Sequence, residues 1–352
     1  MIQEQKCPNC GGALTFDPAS GKLHCEYCDS VFDIEQFQQP QQPQVNRTER
    51  DQAMQQMAPL PISICRSCGA EVVTPAQTTG ALTCPYCGNN IVLTQQFSGM
   101  LKPDGIVPFS IMPDHLAESV QKYYKGKKFL PKGFFSKNKI GPVTGVYVPF
   151  WIFDCDVYGG LRFKGQKSGK TYREGNYECT EIEYYDIHRD VSMSFQDLTL
   201  DASKRMANDL MDSIQPYDLT KIVPFDVRYL AGFVADRFDE ASSESRQRSD
   251  ARMKTTGANI AMERSTKGYH SVSITFNQLQ VSMRRARYVL LPVYLLNLTF
   301  EGKNFKFAVN GQTGKVEGTL PYSKLEEEKY FLKRFAAGAG AVAAIIALIV
   351  LL

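Results

Sequence analysis

Hydrophobic positions fall into three regimes along the chain. Up to about residue 95 they come as short runs, at 13–16, 31–32, 71–73 and 91–93, each beside a cysteine pair. Between about 99 and 321 aromatic and β-branched runs dominate. Residues 146–153 (VYVPFWIF) and 288–296 (YVLLPVYLL) read as buried strands. Each run holds one proline, with Trp151 or Tyr294 two residues on, and each leads into a glycine-containing hairpin, Gly159-Gly160 and Glu301-Gly302-Lys303-Asn304. This weak internal repeat predicts two related sheet units in one domain. Helical spacing appears at 113–124, with Leu116, Val120 and Tyr123 on one face, and at 201–214, with Met206, Leu210 and Ile214 spaced by four. Residues 240–264 read as a polar helix or long loop. Strands and helices without regular alternation predict an α+β fold.

The third regime is the final stretch, 335–352, which carries no charged or strongly polar side chain. At 1.5 Å per residue it would extend about 27 Å, near the bilayer's apolar thickness. Lys333 and Arg334 stand immediately before it. The pattern predicts a single C-terminal transmembrane helix acting as a tail anchor, with the N-terminus and main domains in the cytoplasm. The resulting division is a first unit at 1–34, a Gln/Pro-rich linker at 35–61, a second unit at 62–96, a central α+β domain at 99–321, a charged juxtamembrane segment at 322–334 and the anchor at 335–352.

Cysteine placement decides what the two small units are. The 352 residues include 10 cysteines, and eight of them form four C-x-x-C pairs. The first set is Cys7, Cys10, Cys25 and Cys28; the second is Cys65, Cys68, Cys84 and Cys87. No apolar leader precedes Cys7, so a reducing compartment is expected, where such pairs hold metal rather than disulfides. Each C-x-x-C presents two thiolates to one ion, and the spacer within each set is long enough for a hairpin that returns the second pair. Two closed, structural four-thiolate zinc sites are predicted. Gly11, Gly69 and Gly88 follow three of the knuckles and Asp29 the fourth, at positions where a left-handed backbone is favoured. His24 is an alternative ligand of little weight, since four thiolates already complete the first set. Cys155 and Cys179 read as ordinary strand residues.

On these knuckles, residues 5–95 resemble the double zinc-ribbon family (TFIIB-type ribbons), in which C-P-x-C-G recurs. Leu291-Pro292-Val293-Tyr294 and the stretch 309–318 (VNGQTGKVEG) look like a family of bacterial zinc-ribbon membrane proteins of uncharacterised function, often labelled by similarity to the primosomal replication helicase. A helicase requires G-x-x-x-x-G-K-[ST] between a strand and a helix. Gly165-Gln166-Lys167-Ser168-Gly169-Lys170-Thr171 has three residues between its glycines, and Gly311-Gln312-Thr313-Gly314-Lys315 is followed by Val316. Both read as hairpin turns, and a P-loop is not expected.

Charge then narrows the partners. The net formal charge is +3, but residues 1–100 hold five cations against nine carboxylates, and each four-thiolate zinc site adds about −2 more. Such a head repels phosphate, which makes nucleic acid a disfavoured partner for it. The basic–aromatic segment 122–139 could meet anionic lipid headgroups or nucleic acid, but the favoured reading is a solvated helix end with its aromatics in the core. His188, between Asp186 and Asp190, is the best-placed imidazole, but no catalytic constellation forms around it and no enzyme is expected. The expected function is a membrane-tethered zinc-ribbon adaptor or scaffold for protein partners. The alternative is a nucleic-acid-associated protein using 122–139.

Overall fold

The computed structural model describes residues 7–34, 50–52, 62–65, 71–73, 79–83, 90–93, 97, 101–125, 127–134, 139–141 and 143–351. The two apolar runs of the repeat form its centre. They belong to β10 (Thr144–Glu174) and β14 (Gln280–Phe300), which lie antiparallel from Thr144↔Leu295 to Tyr158↔Gln280. Pro149 pairs with Leu290 and Pro292 with Tyr147, the offset a two-fold axis between the repeats would produce. The related units are thus neighbours in one sheet.

Strand alternation explains why both runs are apolar throughout: both faces of the sheet are covered. Tyr147, Trp151, Tyr288, Leu290 and Tyr294 point into an aromatic layer with Phe109, Phe233 and Phe238. Val146, Val148, Ile152, Val289 and Leu291 point the other way, onto Met211, Ile214 and Tyr217. Outward from the centre, β15 (Lys303–Asn310) and β16 (Val316–Gly318) follow β14 by hairpins. Glu301 and Gly302 both adopt positive φ, 49° and 74°, giving the tight hairpin expected at that position. On the other side, β12 (Val234–Asp236) runs parallel to β10.

The small units join this body. The first is a three-stranded sheet of β1 (Leu14–Asp17), β2 (Lys22–Cys25) and β3 (Val31–Phe32). It docks through Phe16, whose amide donates to the Ala231 carbonyl at 3.1 Å and whose ring meets Tyr229 edge-on at 5.3 Å. In the second unit β4 (Ile62–Ile64) pairs with β5 (Glu71–Val73), while β6 (Thr79–Thr83) and β7 (Asn90–Val92) extend the large sheet by Ala81↔Ala235. Residues 50–52 are helical and fixed to the body. Arg50 is 1 % exposed and pairs with Asp104, and both Asp51 carboxylate oxygens accept from Ser242. The remainder of the Gln-rich linker, 35–49 and 53–61, lies outside the described residues.

Three sequence expectations change. Gly159-Gly160 is not a hairpin: β10 runs straight through it and continues to Glu174. Gly159 (φ 137°) is where the Gln278–Leu279 turn crosses; a Cβ there would lie 2.4 Å from the Gln278 carbonyl oxygen. The Gly165–Thr171 text is likewise internal to β10, with a register shift between Ser168 and Thr171, and the turn falls at Gly175 (φ 62°) instead. The helix expected over 201–214 shrinks to α2 (Asn208–Ser213), α1 being Leu116–Lys125. Asp201 ends β11 (Tyr177–Asp201), and the Ala202 amide is held by the Pro149 carbonyl, so the strand ladder claims the start of the expected helix.

Because β10 and β11 carry 31 and 25 residues, they leave the body as an arm; β10 alone would span about 100 Å. The polar segment 240–264 is helical, as α3 (Ser242–Ser265), and lines one face of the arm's base. Its Met253, Ala258 and Ala261 meet Cys155, Val157, Leu161, Phe163, Ile187 and Val191. A third strand, β13 (His270–Asn277), borders β10 only as far as Gln166↔His270. Beyond that point the arm is a two-stranded ribbon.

The tail expectation is corrected. The apolar run continues a helix that starts at Lys324, α4 (Lys324–Leu351), whose described side chains include Glu326, Glu327, Lys329, Lys333 and Arg334. Among the described residues no helix is long and apolar enough to cross a membrane. This overturns the placement of the chain as a single-pass, tail-anchored membrane protein with a cytoplasmic N-terminus. The fold is mixed α+β with sheet predominating.

Candidate metal centre

The first cysteine set is assembled by two equivalent loops. In one, the Cys7 amide donates to the Gly12 carbonyl and the Gly11 amide to the Cys7 carbonyl, both at 2.8 Å. In the other, the Cys25 amide donates to Ser30 and the Asp29 amide to Cys25, both at 2.9 Å. The residue after each second cysteine is left-handed, Gly11 at 73° and Asp29 at 56°, as the sequence pattern required. Between the loops, the β1–β2 hairpin pairs Leu14 with Cys25 and is closed by Asp17, which accepts from the Ala19 and Ser20 amides and the Ser20 hydroxyl. The hydroxyl of Ser20 is the main reason the Asp17 carboxyl titrates below its usual range.

These loops converge four sulfurs. Cys7 Sγ lies 3.5 Å from Cys28 Sγ, Cys10 Sγ lies 3.5 Å from Cys25 Sγ, and all four fall within 4.8 Å of one another. A tetrahedron with metal–sulfur bonds of about 2.3 Å has edges of about 3.8 Å, so the set fits one four-coordinate ion. Cys7 and Cys25 are buried, while Cys10 and Cys28 face solvent. The group could hold a metal ion with every position filled by protein. His24 is not part of it: its Nε2 sits 3.5 Å from Asp29 Oδ1.

Local donors favour thiolate at Cys28 and not at Cys10. Ser30 brings its hydroxyl to 3.2 Å from Cys28 Sγ and, with its amide, draws the Cys28 thiol down to about 6. The Gly12 amide does the same for Cys10 at 3.4 Å, but the Cys28 and Cys25 sulfurs outweigh it and raise that thiol to about 12. An ion held here would be bound by the four sulfurs as thiolates and would favour their deprotonation. Ser30 was not singled out from the sequence. Its signal was a Ser two residues past the knuckle, at the position Gly12 takes in the other loop.

Of the second set, Cys65 is buried beside Val72, Leu82 and Ile91; Cys68, Cys84 and Cys87 lie outside the described residues. Cys155 is buried in β10, and burial first, then Asp250, Asp154 and Asp156, raise its thiol. His188 stands exposed opposite Arg162 on the arm, on the same face as Asp186 and Asp190. In the basic–aromatic segment, Tyr124 and Phe134 are core residues. Lys127 lies 4.3 Å over the Tyr123 ring and Lys128 4.9 Å over Tyr330, at the start of α4. The rings there are committed to packing, with Phe129 against Tyr322 and Tyr330.

The chain is 32% identical over 331 residues to the protein named "Uncharacterized protein YdjG" of Bacillus subtilis (strain 168), with 94% of each chain covered. It belongs to the YdjG family. No family model matches the chain, and no solved structure matches it.

Proposed function

We propose that this YdjG-family chain is a zinc-ribbon scaffold that binds a protein partner, with zinc in a structural role at Cys7, Cys10, Cys25 and Cys28 and a second zinc at Cys65, Cys68, Cys84 and Cys87. The observation that carries the reading is the arm. It projects a ribbon whose large side chains have no core to enter: Tyr177 is 77 % exposed and Tyr184 73 %, with Ile182 and Tyr172 also exposed. A two-stranded hairpin is marginal in water by itself, and aromatic side chains on such a projection favour a protein surface as their cover. The closed thiolate set supports a structural ion, since substrate or water would need an open position. The kinship with TFIIB-type ribbons suggested by the knuckles is part of the same proposal. The nucleic-acid reading of 122–139 has less support, because its described aromatics, Tyr123, Tyr124, Phe129 and Phe134, are engaged in ring contacts; Phe135 lies outside the described residues.

Two measurements test the reading. Metal analysis of the purified chain should give two zinc ions, falling to one when Cys25 is changed to Ser; a metal-free, fully folded chain would refute the structural role. A photo-crosslinking amino acid at Tyr184 should trap a discrete partner in cells, while the same group at Lys221 on the body should not. Equal yields, or none at Tyr184, would refute the arm as the binding surface.

A further inference from the structure

The arm sorts its charge by strand. From Tyr177 to Asp190, β11 carries Glu178, Glu181, Glu183, Asp186 and Asp190 against Arg189, a net −4. The stretch of β10 it pairs with carries Arg162, Lys164, Lys167, Lys170 and Arg173 against Glu174, a net +4. The register sets Lys164 opposite Asp186, Lys167 opposite Glu183 and Arg173 opposite Glu178. The basic strand is flanked by β13 as far as Gln166, so there the acidic strand is the outer one; beyond Gln166 each strand of the ribbon has one free edge. Among the described residues β11 pairs with β10 alone, so its outer row of amides and carbonyls faces away from the sheet. Near the body this edge is closed, where Gln215 Nε2 donates to the Thr199 carbonyl, and farther out the His188 carbonyl accepts from the exposed Arg189 guanidinium at 2.7 Å, a side chain an added strand would displace. Toward the tip the side chains from 177 to 186 are exposed apart from Cys179, which is half-buried.

We infer that the outer edge of β11, between Tyr177 and Ser194, is a strand-addition site for a basic, extended segment of a partner protein. An incoming strand would lie about 4.8 Å from β11 and twice that from β10, so it would feel the acidic neighbour first. A basic strand extends the acidic–basic alternation already built into the arm, and its backbone completes the unpaired ladder. A second copy of this chain is the wrong occupant. Pairing two β11 edges about a two-fold would set a net −4 strand against its equal, and like charges directly opposite destabilise a sheet. The flanking Ile182 and Tyr184 on the open face offer apolar contacts to alternate side chains of the added strand.

This inference rests on the protein-binding reading and names its site and partner chemistry. The test uses the full chain and a fluorescent peptide of alternating Lys and Val, read by anisotropy and by amide hydrogen exchange. The peptide should bind and slow exchange within 177–194. A Glu178→Gln, Glu181→Gln, Glu183→Gln, Asp186→Asn variant should bind about tenfold more weakly, from a few tenths of a decade per surface charge. The same peptide N-methylated at alternate amides keeps its charge but cannot complete the ladder, and it should not bind. Equal binding of the N-methylated peptide, unchanged affinity in the variant, or protection outside β11 would overturn strand addition. If the crosslink at Tyr184 forms while the peptide fails, the protein-binding reading stands and this inference falls. If the crosslink itself is absent, the reading fails first.

Discussion

Replacing Arg50 by Ala tests whether the segment between the two small units is a structural part of the body. The Arg50 guanidinium donates to both Asp104 carboxylate oxygens at 2.9 Å and to the Lys102 carbonyl at 3.0 Å, and lies 5.5 Å from the centre of the Tyr288 ring. Asp104 in turn accepts from the Tyr288 amide at 2.7 Å, which is all the variant would leave it among these contacts. Its side chain is 16 % exposed, so water cannot fully replace what is lost. Removing one partner of such a pair costs about 3–5 kcal/mol, against less than about 1 kcal/mol for an exposed pair. The retained Tyr288 bond places the expected loss near the lower end, roughly 3 kcal/mol. Urea unfolding followed by the fluorescence of Trp151 reports it directly, because the chain has one tryptophan and its ring lies 5.7 Å from Tyr288. An Arg50→Met, Asp104→Leu double variant should recover much of the loss, since an apolar pair of similar volume avoids the stranded charge. A loss below about 1 kcal/mol in Arg50→Ala would refute the claim that this contact anchors the segment.

Other expectations follow from single positions. Gly159→Ala should destabilise the arm by about 2–4 kcal/mol, combining the close Gln278 carbonyl with a positive φ, whereas Gly160→Ala, with open space around it, should be near neutral. Equal unfolding midpoints for the two variants would contradict the crossing at Gly159. Asp201 is fully buried, and burial, opposed by Arg248, raises its carboxyl from 3.8 to about 6. The folded state therefore holds this proton more tightly than the unfolded state, so the contribution favours folding below about pH 4 and is lost as pH rises through 6. Asp201→Asn should remove that slope, gaining up to roughly 3 kcal/mol relative to the wild type between pH 4 and pH 7. Parallel stability–pH curves would rule it out.

The parts legible in the sequence were those fixed by local chemistry. The two knuckles of the first cysteine set, their left-handed residues Gly11 and Asp29, and the two-faced burial of 146–153 and 288–296 each follow from a few adjacent residues. The arm was not legible, because beyond Gly165 its strands neither alternate nor carry apolar runs, and their length is set by pairing with each other. Gly159-Gly160 misled for a related reason: Gly159 answers a chain crossing more than a hundred residues away, at Gln278. Arg50 looked like one polar residue in a polar linker, and only its distant partner Asp104 distinguishes it. The closing run at 335–352 was read on its own apolarity, apart from the charged turns that open the same helix.

The docking of Phe16 onto Ala231 has a consequence for how the chain is made. All the ligands of the first ribbon have left the ribosome long before residue 231 is added. At roughly 5–20 residues per second the interval is about 10–40 s. Through that time the first unit has Leu14, Phe16 and Leu23 facing no finished core, and an ion on its four cysteines would be the one other source of folding energy. If the four cysteines hold an ion, metal supply during synthesis, and not only in the finished protein, would set how much nascent chain reaches the folded state.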